Sequence, residues 1–274
     1  MTDARLLPAN GRVAALELAG QVEAERFVAG EVRRVARPVA DLGAEPGGQR
    51  WRQLRLGAPF RVLEWREGHA FGQAGPNGPV GWLAEAALIE APEPTHRVAV
   101  PASHAYSAPD LKSPEVMGLP FGAALRVVSA AGAFFETGGG LFVPKPHLRP
   151  LNRPFADPVT VAQLHFGAPY LWGGNSIRGV DCSGLVELAL SAAGHDCPPD
   201  ADLQAGLGAA LPDGATPARG DLFFWPGHVA IAVDGETLIH ATAAAMSVIY
   251  EPLTEAMARI EAETGAACAI RRLG

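Results

Sequence analysis

One of the three cysteines of the chain, Cys182, lies between a glycine-containing turn and an apolar run, in the segment GVDCSGLV (residues 179–186). The apolar residues that follow it have helical spacing as far as Gly194, so the sequence predicts a helix that begins at Cys182. The N–H groups and the dipole at a helix N-terminus favour a thiolate, and they can also stabilise negative charge on an attacked carbonyl. Cys182 could therefore be a nucleophile, and a buried thiol that only fills space is the alternative.

A thiol nucleophile needs a base, and two histidines lie on either side of a predicted turn. His228 opens the run HVAIAV, His240 belongs to the run TLIHA, and Asp234-Gly235 between them has the composition of a tight turn. A hairpin with this turn brings the two imidazoles side by side, with His228 as the base and His240 as the residue that orients it. Histidines at strand ends that only contact solvent are the alternative, and spacing alone leaves both interpretations open.

The elements around these residues predict an α+β domain. Asp157-Pro158 is typical of a helix start, and helical spacing continues from Val159 to Phe166, where Gly167 ends it. The helix at Cys182 is followed by four strand-like runs and a last helix: Asp221 to Trp225, His228 to Val233, Thr237 to Ala241, Ser247 to Tyr250, and the helix Leu253 to Glu263. Helices first and antiparallel strands afterwards indicate an α+β fold.

The first half of the chain contains an internal repeat. Residues 36–65 align with residues 99–130, at an offset of 63 residues in one part and 65 in the next, which indicates a two-residue loop insertion. Each copy has short strand-like runs separated by Gly and Pro, as in a small barrel of five or six strands. The pattern resembles the bacterial SH3-like domain, and two unrelated barrels that act as spacers are the alternative. We expect an extension (residues 1–30), two barrels (31–91 and 95–150) and the α+β domain (155–274).

The composition excludes several classes of protein. With 274 residues, 48% hydrophobic, the chain is too long for one ordinary domain, and its formal charge of −7 argues against a nucleic-acid or anionic-membrane surface. Three widely spaced cysteines cannot form a disulfide framework, so a reducing compartment fits best. The chain shows no apolar run of signal-peptide or membrane-spanning length, and we expect a cytoplasmic protein with a small or neutral partner.

The other cysteines and histidines have no motif spacing. Cys197 and Cys268 are interpreted as structural, the Cys and His spacings do not make a zinc site, and we expect neither a metal nor a cofactor. The remaining histidines are interpreted as surface or core residues: His69, His96, His104, His147, His165 and His195.

A family resemblance covers residues 155–274. The runs PYLWGG, DCSGLV, RGDLFFW, GHVAIAV and LIHA resemble the NlpC-type family of papain-like cysteine peptidases, bacterial hydrolases of cell-wall peptides, in the family's order and spacing. The resemblance implies a papain-like fold, with N-terminal helices packed on an antiparallel sheet, after two small all-β SH3-like barrels. It also implies that Cys182 is the nucleophile, His228 the base and His240 the third, polar member of a triad.

The same resemblance implies a substrate site. Tyr170 matches a tyrosine whose hydroxyl faces the reacting carbonyl, Asp181 and Ser183 match positions that contact substrate, and Trp172 lies in the same matched run. In family members fused to SH3-like domains the aspartate binds the free α-amine of an N-terminal L-alanine. Helix capping is the alternative for Asp181, and core packing is the alternative for Tyr170.

One segment departs from the family pattern. After the helix of the cysteine, the family commonly has Pro-Arg-x-Ser-x-x-Gln, whereas residues 198–204 are PPDADLQ and lack both Arg and Ser. Part of the substrate-binding wall is therefore expected to differ from that of the family, while the triad positions are unchanged.

The expected function is a cysteine endopeptidase that hydrolyses murein peptides between γ-D-glutamate and a diamino acid. We expect released peptides that begin L-Ala-γ-D-Glu as substrates, in cell-wall recycling, and a monomer as the favoured state. The first barrel is expected to close one end of the cleft, with Trp82 and Tyr106 as candidate contacts. A secreted wall-remodelling endopeptidase and a wall-peptide-binding protein that has lost activity are the alternatives.

Overall fold

The structure is a computed structural model that describes residues 3–212 and 214–274. The chain divides into two compact units, Met1–Leu151 and Asn152–Gly274. Within the described ranges, no helix is both long enough and apolar enough to cross a membrane.

The first unit begins with a short parallel strand pair. Strands β1 (Val13–Ala15) and β2 (Arg26–Val28) pair with each other, and a 3₁₀ turn at Leu16–Leu18 follows β1. Arg12 attaches this segment to the next sheet, because its Nε and Nη2 donate to the carboxylate of Glu64 at 3.1 and 2.9 Å. The sequence predicts no element for this extension, and the structure gives it two strands.

A seven-stranded antiparallel sheet follows, in the order β5-β4-β8-β7-β6-β3-β9. Its strands are β3 (Glu31–Val35), β4 (Val39–Gly43), β5 (Arg50–Arg55), β6 (Pro59–Arg66), β7 (His69–Ala74), β8 (Val80–Ala84) and β9 (Leu88–Ile89). Alternating side chains of these strands form a buried core that includes Leu42, Phe60 and Leu83. A 3₁₀ turn at Glu85–Ala87 connects β8 to β9.

Trp82 belongs to a second apolar cluster of this unit. Its ring is 5% exposed, lies 5.3 Å from the ring of Phe71 and packs with Val13 of the N-terminal strand pair. Trp82 is therefore a core residue, and the expectation that it contacts substrate is wrong.

Residues 96–150 repeat the strand order of residues 31–89. Their strands are β10 (His96–Val98), β11 (Ala102–Tyr106), β12 (Glu115–Pro120), β13 (Ala124–Leu125), β14 (Val127–Ala131), β15 (Phe134–Thr137), β16 (Phe142–Pro144) and β17 (Leu148–Pro150). They form sheets in the orders β12-β11-β16-β15-β14 and β13-β10-β17, which match the first sheet if β13 and β14 together correspond to β6. The loop before β12 (residues 107–114) is longer than the loop before β5 (residues 44–49), which places the two-residue insertion there.

The second unit combines four helices with a six-stranded antiparallel sheet. The helices are α1 (Pro158–Gln163), α2 (Cys182–Ala192), α3 (Ala201–Gln204) and α4 (Leu253–Thr264). The strands β18 (Asn175–Ser176) and β19 (Gly179–Val180) form a small hairpin before α2. The large sheet has the order β20-β25-β21-β22-β23-β24, with β20 (Ala209–Ala210), β21 (Leu222–Trp225), β22 (His228–Ala232), β23 (Thr237–Thr242), β24 (Ser247–Pro252) and β25 (Ala269–Arg272).

Helices pack on this sheet and enclose its core. Helix α1 packs on α2, and α2 contacts strands β22 and β23. Helix α4 contributes Ala256 and Ile260 to a buried cluster with Phe223 and Leu238 of the sheet. This arrangement confirms the predicted α+β class with helices before the antiparallel sheet.

Most predicted elements of the second unit are present, and the short elements β18, β19, α3 and β20 were not predicted. Asp157 caps α1 as predicted, since its Oδ1 accepts from the N–H of Val159 at 2.9 Å, but α1 ends at Gln163 and turns lead to Gly167. Strand β25, which the sequence analysis missed, pairs with β21 and lies between it and β20. The pairing of β25 with β21 joins residues far apart in the chain, so no local sequence pattern predicts it.

Candidate active site

Cys182 is the first residue of α2, as the sequence predicts. Asp181 is the N-cap: its Oδ1 accepts from the N–H of Gly184 at 2.7 Å and from the hydroxyl of Ser183 at 3.2 Å. Its Oδ2 accepts from the N–H of Gly173 at 2.8 Å, which ties the preceding glycine turn to the helix start. The capping interpretation of Asp181 is therefore correct, and the cap holds the cysteine where helix N–H groups surround it.

The side chain of Cys182 lies beside the turn between β21 and β22. Cys182 is 7% exposed, and its Sγ is 3.9 Å from the carbonyl oxygen of Gly227, the residue before His228. Trp225 pairs with His228 across this two-residue turn, and their rings are 5.9 Å apart. The start of α2 and the start of β22 thus meet at the thiol.

The predicted hairpin is present and brings the two histidines together. Strands β22 and β23 are antiparallel, with Ile231 opposite Ile239, and Nε2 of His228 lies 2.8 Å from Nδ1 of His240. The rings are 5.1 Å apart and nearly perpendicular. Because Nε2 of His228 is engaged, Nδ1 is the ring nitrogen that can take a proton from the thiol.

Burial controls the charge of both imidazoles. Burial, and then the neighbouring His240, lowers the pKa of His228 to about 3, and burial also lowers the pKa of His240. Both rings are therefore neutral at neutral pH. A neutral imidazole is the form that can accept a proton, so His228 is in the state that a general base requires.

A carboxylate continues this chain of hydrogen bonds, and the sequence analysis missed it. Glu251 Oε2 lies 3.0 Å from Nε2 of His240, and Arg259 of α4 donates to both oxygens of Glu251, at 2.9 and 2.7 Å. The Arg259 guanidinium lowers the pKa of Glu251. No motif marks Glu251, because its contact depends on the pairing of β23 with β24.

Tyr170 lies within electrostatic range of the thiol. It bridges to Val180 just before α2, and its N–H donates to the carbonyl of Met246 at 2.9 Å. Burial, followed by the negative charges of Cys182 and Asp181, raises the pKa of Tyr170 to about 12. The phenol therefore keeps its proton and can donate a hydrogen bond toward a group that reacts at Cys182.

Two further predicted residues lie next to the helix start. Ser183 is buried, and its carbonyl accepts from Nε2 of Gln204 at 3.0 Å. Gln204 also donates to the carbonyl of Pro198 and to Sγ of Cys197. Residues 198–204 differ from the family pattern, but the glutamine that they share with it connects them to α2. Trp172 precedes Gly173 of the glycine turn and is 64% exposed, so its indole is open to a ligand in solution.

The cysteines and the histidine described next were interpreted as structural, and each has a contact to the protein backbone or to Gln204. Cys197 accepts from Gln204 as described, and Cys268 is exposed with its N–H donating to the carbonyl of Phe224. His165 is fully buried, with Nδ1 2.9 Å from the carbonyl of Val161. Among the residues that the structure describes, no group of three or more His, Cys, Asp or Glu side chains could hold a metal ion.

Comparisons with known families match both units. Residues 167–262 match the NlpC/P60 family, and residues 43–88 match the bacterial dipeptidyl-peptidase Sh3 domain. The chain is 29% identical over 216 residues to a gamma-D-glutamyl-L-lysine dipeptidyl-peptidase of Bacillus subtilis (strain 168), which covers 72% of this chain and 70% of that protein. It is 34% identical over 97 residues to dipeptidyl-peptidase 6 of Lysinibacillus sphaericus, covering 35% of this chain and 36% of that one.

Solved structures show the same fold. An NlpC/P60 family protein from Bacillus cereus ATCC 10987 aligns with a TM-score of 0.74 and 20% identity, over 88% of this chain and 99% of that chain. An NlpC/P60 endopeptidase from Photobacterium damselae subsp. piscicida aligns with a TM-score of 0.59 and 12% identity, over 87% and 70% of the two chains.

Proposed function

We propose that the chain, a cysteine peptidase whose residues 167–262 match the NlpC/P60 family, hydrolyses murein peptides between γ-D-glutamate and a diamino acid. One observation carries the proposal. A cysteine at the start of α2 lies 3.9 Å from the residue that precedes His228, and His228 is hydrogen-bonded to His240. Relatives of this chain are gamma-D-glutamyl-L-lysine dipeptidyl-peptidases, which supports the choice of bond.

The proposed reaction is acyl transfer through a thioester. His228 takes the proton of Cys182, and the thiolate attacks the γ-carbonyl carbon of D-glutamate. The C–N bond then breaks as the His228 imidazolium protonates the leaving amine of the diamino acid. Water, deprotonated by His228, attacks the thioester, and the released thiolate recovers the proton, so the glutamyl acid leaves and the enzyme returns to its starting state.

The oxyanion of each tetrahedral intermediate needs hydrogen-bond donors. The first-turn N–H groups of α2 and the protonated hydroxyl of Tyr170 are the proposed donors. Preformed donors of this kind contribute because they need no reorganisation when the charge develops. Cys182, His228 and His240 are the proposed triad, with His240 orienting the base.

We further propose that the substrate begins with a free L-alanine. The dipeptide L-Ala-γ-D-Glu is then the released N-terminal product, which agrees with the names of the dipeptidyl-peptidase relatives. Asp181, one residue before the nucleophile, is the proposed partner of the free amine, and a charge-assisted bond there would set the distance to the scissile bond. Ser183 and Trp172 are the proposed further contacts of the peptide.

The test is hydrolysis of L-Ala-γ-D-Glu-diaminopimelate, followed by mass spectrometry, with a free or an acetylated N-terminus. We expect the free peptide to release diaminopimelate and the acetylated peptide to react at least about tenfold more slowly, because it lacks the charged partner of Asp181. The Cys182→Ala variant should release nothing from either peptide. Equal cleavage of both peptides would contradict the amine-recognition proposal, and no cleavage of either one or of L-Ala-γ-D-Glu-L-Lys would contradict the proposed bond.

Two further parts of the expected organisation are proposals. We infer that residues 95–150 are a second, diverged SH3-like barrel, which the shared strand order supports. We also propose a cytoplasmic protein that acts on released peptides as a monomer. Fractionation of cells that produce the protein tests the location, and a pool outside the cytoplasm would contradict it.

A further inference from the structure

Glu251 occupies a defined place beside the histidine pair. Its strand β24 pairs with β23 so that Glu251 lies opposite Leu238, two residues from His240 on the same face of the strand. The carboxylate side chain is 12% exposed, the imidazole of His240 is fully buried, and their facing atoms are 3.0 Å apart. A buried ring nitrogen at this distance from a carboxylate is hydrogen-bonded to it.

Arg259 keeps the carboxylate in place and ionised. Its Nε and Nη2 donate to separate oxygens of Glu251, in the bidentate geometry that orients a carboxylate plane. Glu263, one turn later on α4, accepts from Nη1 of the same guanidinium at 3.3 Å, on the side of Arg259 away from Glu251 Oε1 and Oε2. The position of Glu251 is therefore set by two elements, the strand that carries it and the helix that packs behind it.

The ionised carboxylate determines where each proton lies. A carboxylate can only accept, so Nε2 of His240 must carry hydrogen. A neutral imidazole has one N–H, so Nδ1 of His240 is an acceptor and Nε2 of His228 must donate to it. Nδ1 of His228 is then left with its lone pair.

We propose that Glu251 is a positioning residue that selects the reactive tautomer of His228 through His240. This inference rests on the proposed triad, in which His228 takes the proton of Cys182. Without Glu251, Nδ1 of His240 could face His228 either as an acceptor or as an N–H donor. In the second case Nε2 of His228 must accept, and Nδ1 of His228 carries N–H rather than a lone pair. When His228 becomes an imidazolium, its Nε2–H still donates to His240, so no proton needs to move along the chain.

The Glu251→Leu variant tests the proposal, because it removes the acceptor that keeps hydrogen at Nε2 of His240. His240 can then also adopt the tautomer with N–H at Nδ1, which places N–H at Nδ1 of His228. We expect kcat to fall at least roughly tenfold with little change in KM, since fixing the imidazole tautomer in a serine protease triad contributes up to about 10⁴-fold. Glu263→Leu is the matched control, because it removes a carboxylate from the same arginine without a contact to His240, and its kcat should stay within about twofold of the unchanged enzyme.

Two measurements distinguish a positioning role of Glu251 from a purely structural one. They also test this role independently of the proposed substrate. Nitrogen-15 NMR of the histidine side chains should show His240 protonated at Nε2 in the unchanged protein and a mixture of both tautomers in Glu251→Leu. The rate at which iodoacetamide alkylates Cys182 should fall in Glu251→Leu and not in Glu263→Leu. Neither readout needs a murein peptide, so an unchanged protein with both signatures that fails to cleave the peptide would contradict only the proposed substrate.

The outcomes that overturn the inference are direct. His240 protonated at Nδ1 in the unchanged protein would do so even if the Glu251→Leu variant failed to fold. Equal alkylation rates and equal kcat in Glu251→Leu and the unchanged protein would also do so.

Discussion

At the scale of single residues, Asp181 illustrates how one side chain can serve both folding and chemistry. Its oxygens accept from Gly173, Ser183 and Gly184, so it joins the glycine turn to the first turn of α2. The proposed contact with a substrate amine depends on its charge, whereas the cap depends only on its acceptor oxygens. The two roles can therefore be separated by substitution.

Asp181→Asn should keep the cap and remove the charge, while Asp181→Ala should remove both. An amide has one acceptor oxygen, so Asp181→Asn can keep the bonds from Ser183 and Gly184 but sets its NH₂ group against the N–H of Gly173. We expect it to lose about 1–2 kcal/mol in the free energy of unfolding, and Asp181→Ala to lose roughly 2–4 kcal/mol. Both should lose the preference for a free over an acetylated N-terminus. Urea denaturation measures the first effect and the two-peptide assay the second, and an unaltered preference in Asp181→Asn would show that the charge has no role.

At the scale of elements, the start of α2 depends on close backbone packing. A Cβ on Gly184 would lie 2.5 Å from the carbonyl oxygen of Gly174 in the preceding glycine turn and 2.9 Å from Oδ1 of the capping Asp181. Alanine is ordinarily the better helix former by about 1 kcal/mol, so the packing here reverses the usual preference. Glycine at this helical position is therefore explained by the neighbouring turn.

Gly184→Ala should destabilise the second unit and displace Cys182. We expect a loss of about 1–3 kcal/mol in the free energy of unfolding, as for other overpacked sites, and a fall in kcat because the nucleophile moves. Gly206→Ala is the matched control, because its added Cβ would meet only the Leu203 carbonyl oxygen at an ordinary 3.5 Å. Thermal unfolding and peptide hydrolysis measure both effects, and a stabilised, active Gly184→Ala would contradict this account of the helix start.

At the scale of the whole molecule, the buried histidine pair couples the stability of the second unit to pH. Both imidazoles have lowered pKa values in the folded state, His228 to about 3, whereas histidine in an unfolded chain titrates near about 6.5. Between these values the unfolded chain binds more protons than the folded one. The stabilisation from the neutral pair is therefore fully present above about pH 6.5 and is lost as the pH falls toward 3.

Urea denaturation between pH 7.5 and pH 4 should show this loss. We expect the free energy of unfolding to decrease steadily over this range, and to decrease less in His228→Gln, which lacks one of the two titrating rings. The lowered pKa of Glu251 acts in the same direction and is common to both proteins. Equal decreases in the two proteins, or an increase in stability on acidification, would contradict the charge state inferred for His228.

Local patterns in the sequence determined the cap at Asp157, the helix that begins at Cys182 and the hairpin that brings His228 to His240. Caps, helical periodicity and tight turns are interactions between residues close in the chain, so their signals are local. Only the tertiary structure decided that Trp82 is buried, that β25 inserts beside β21, and that Glu251 and Arg259 extend the histidine pair. These contacts depend on strand register and on where α4 packs, and no short segment of the sequence contains that information.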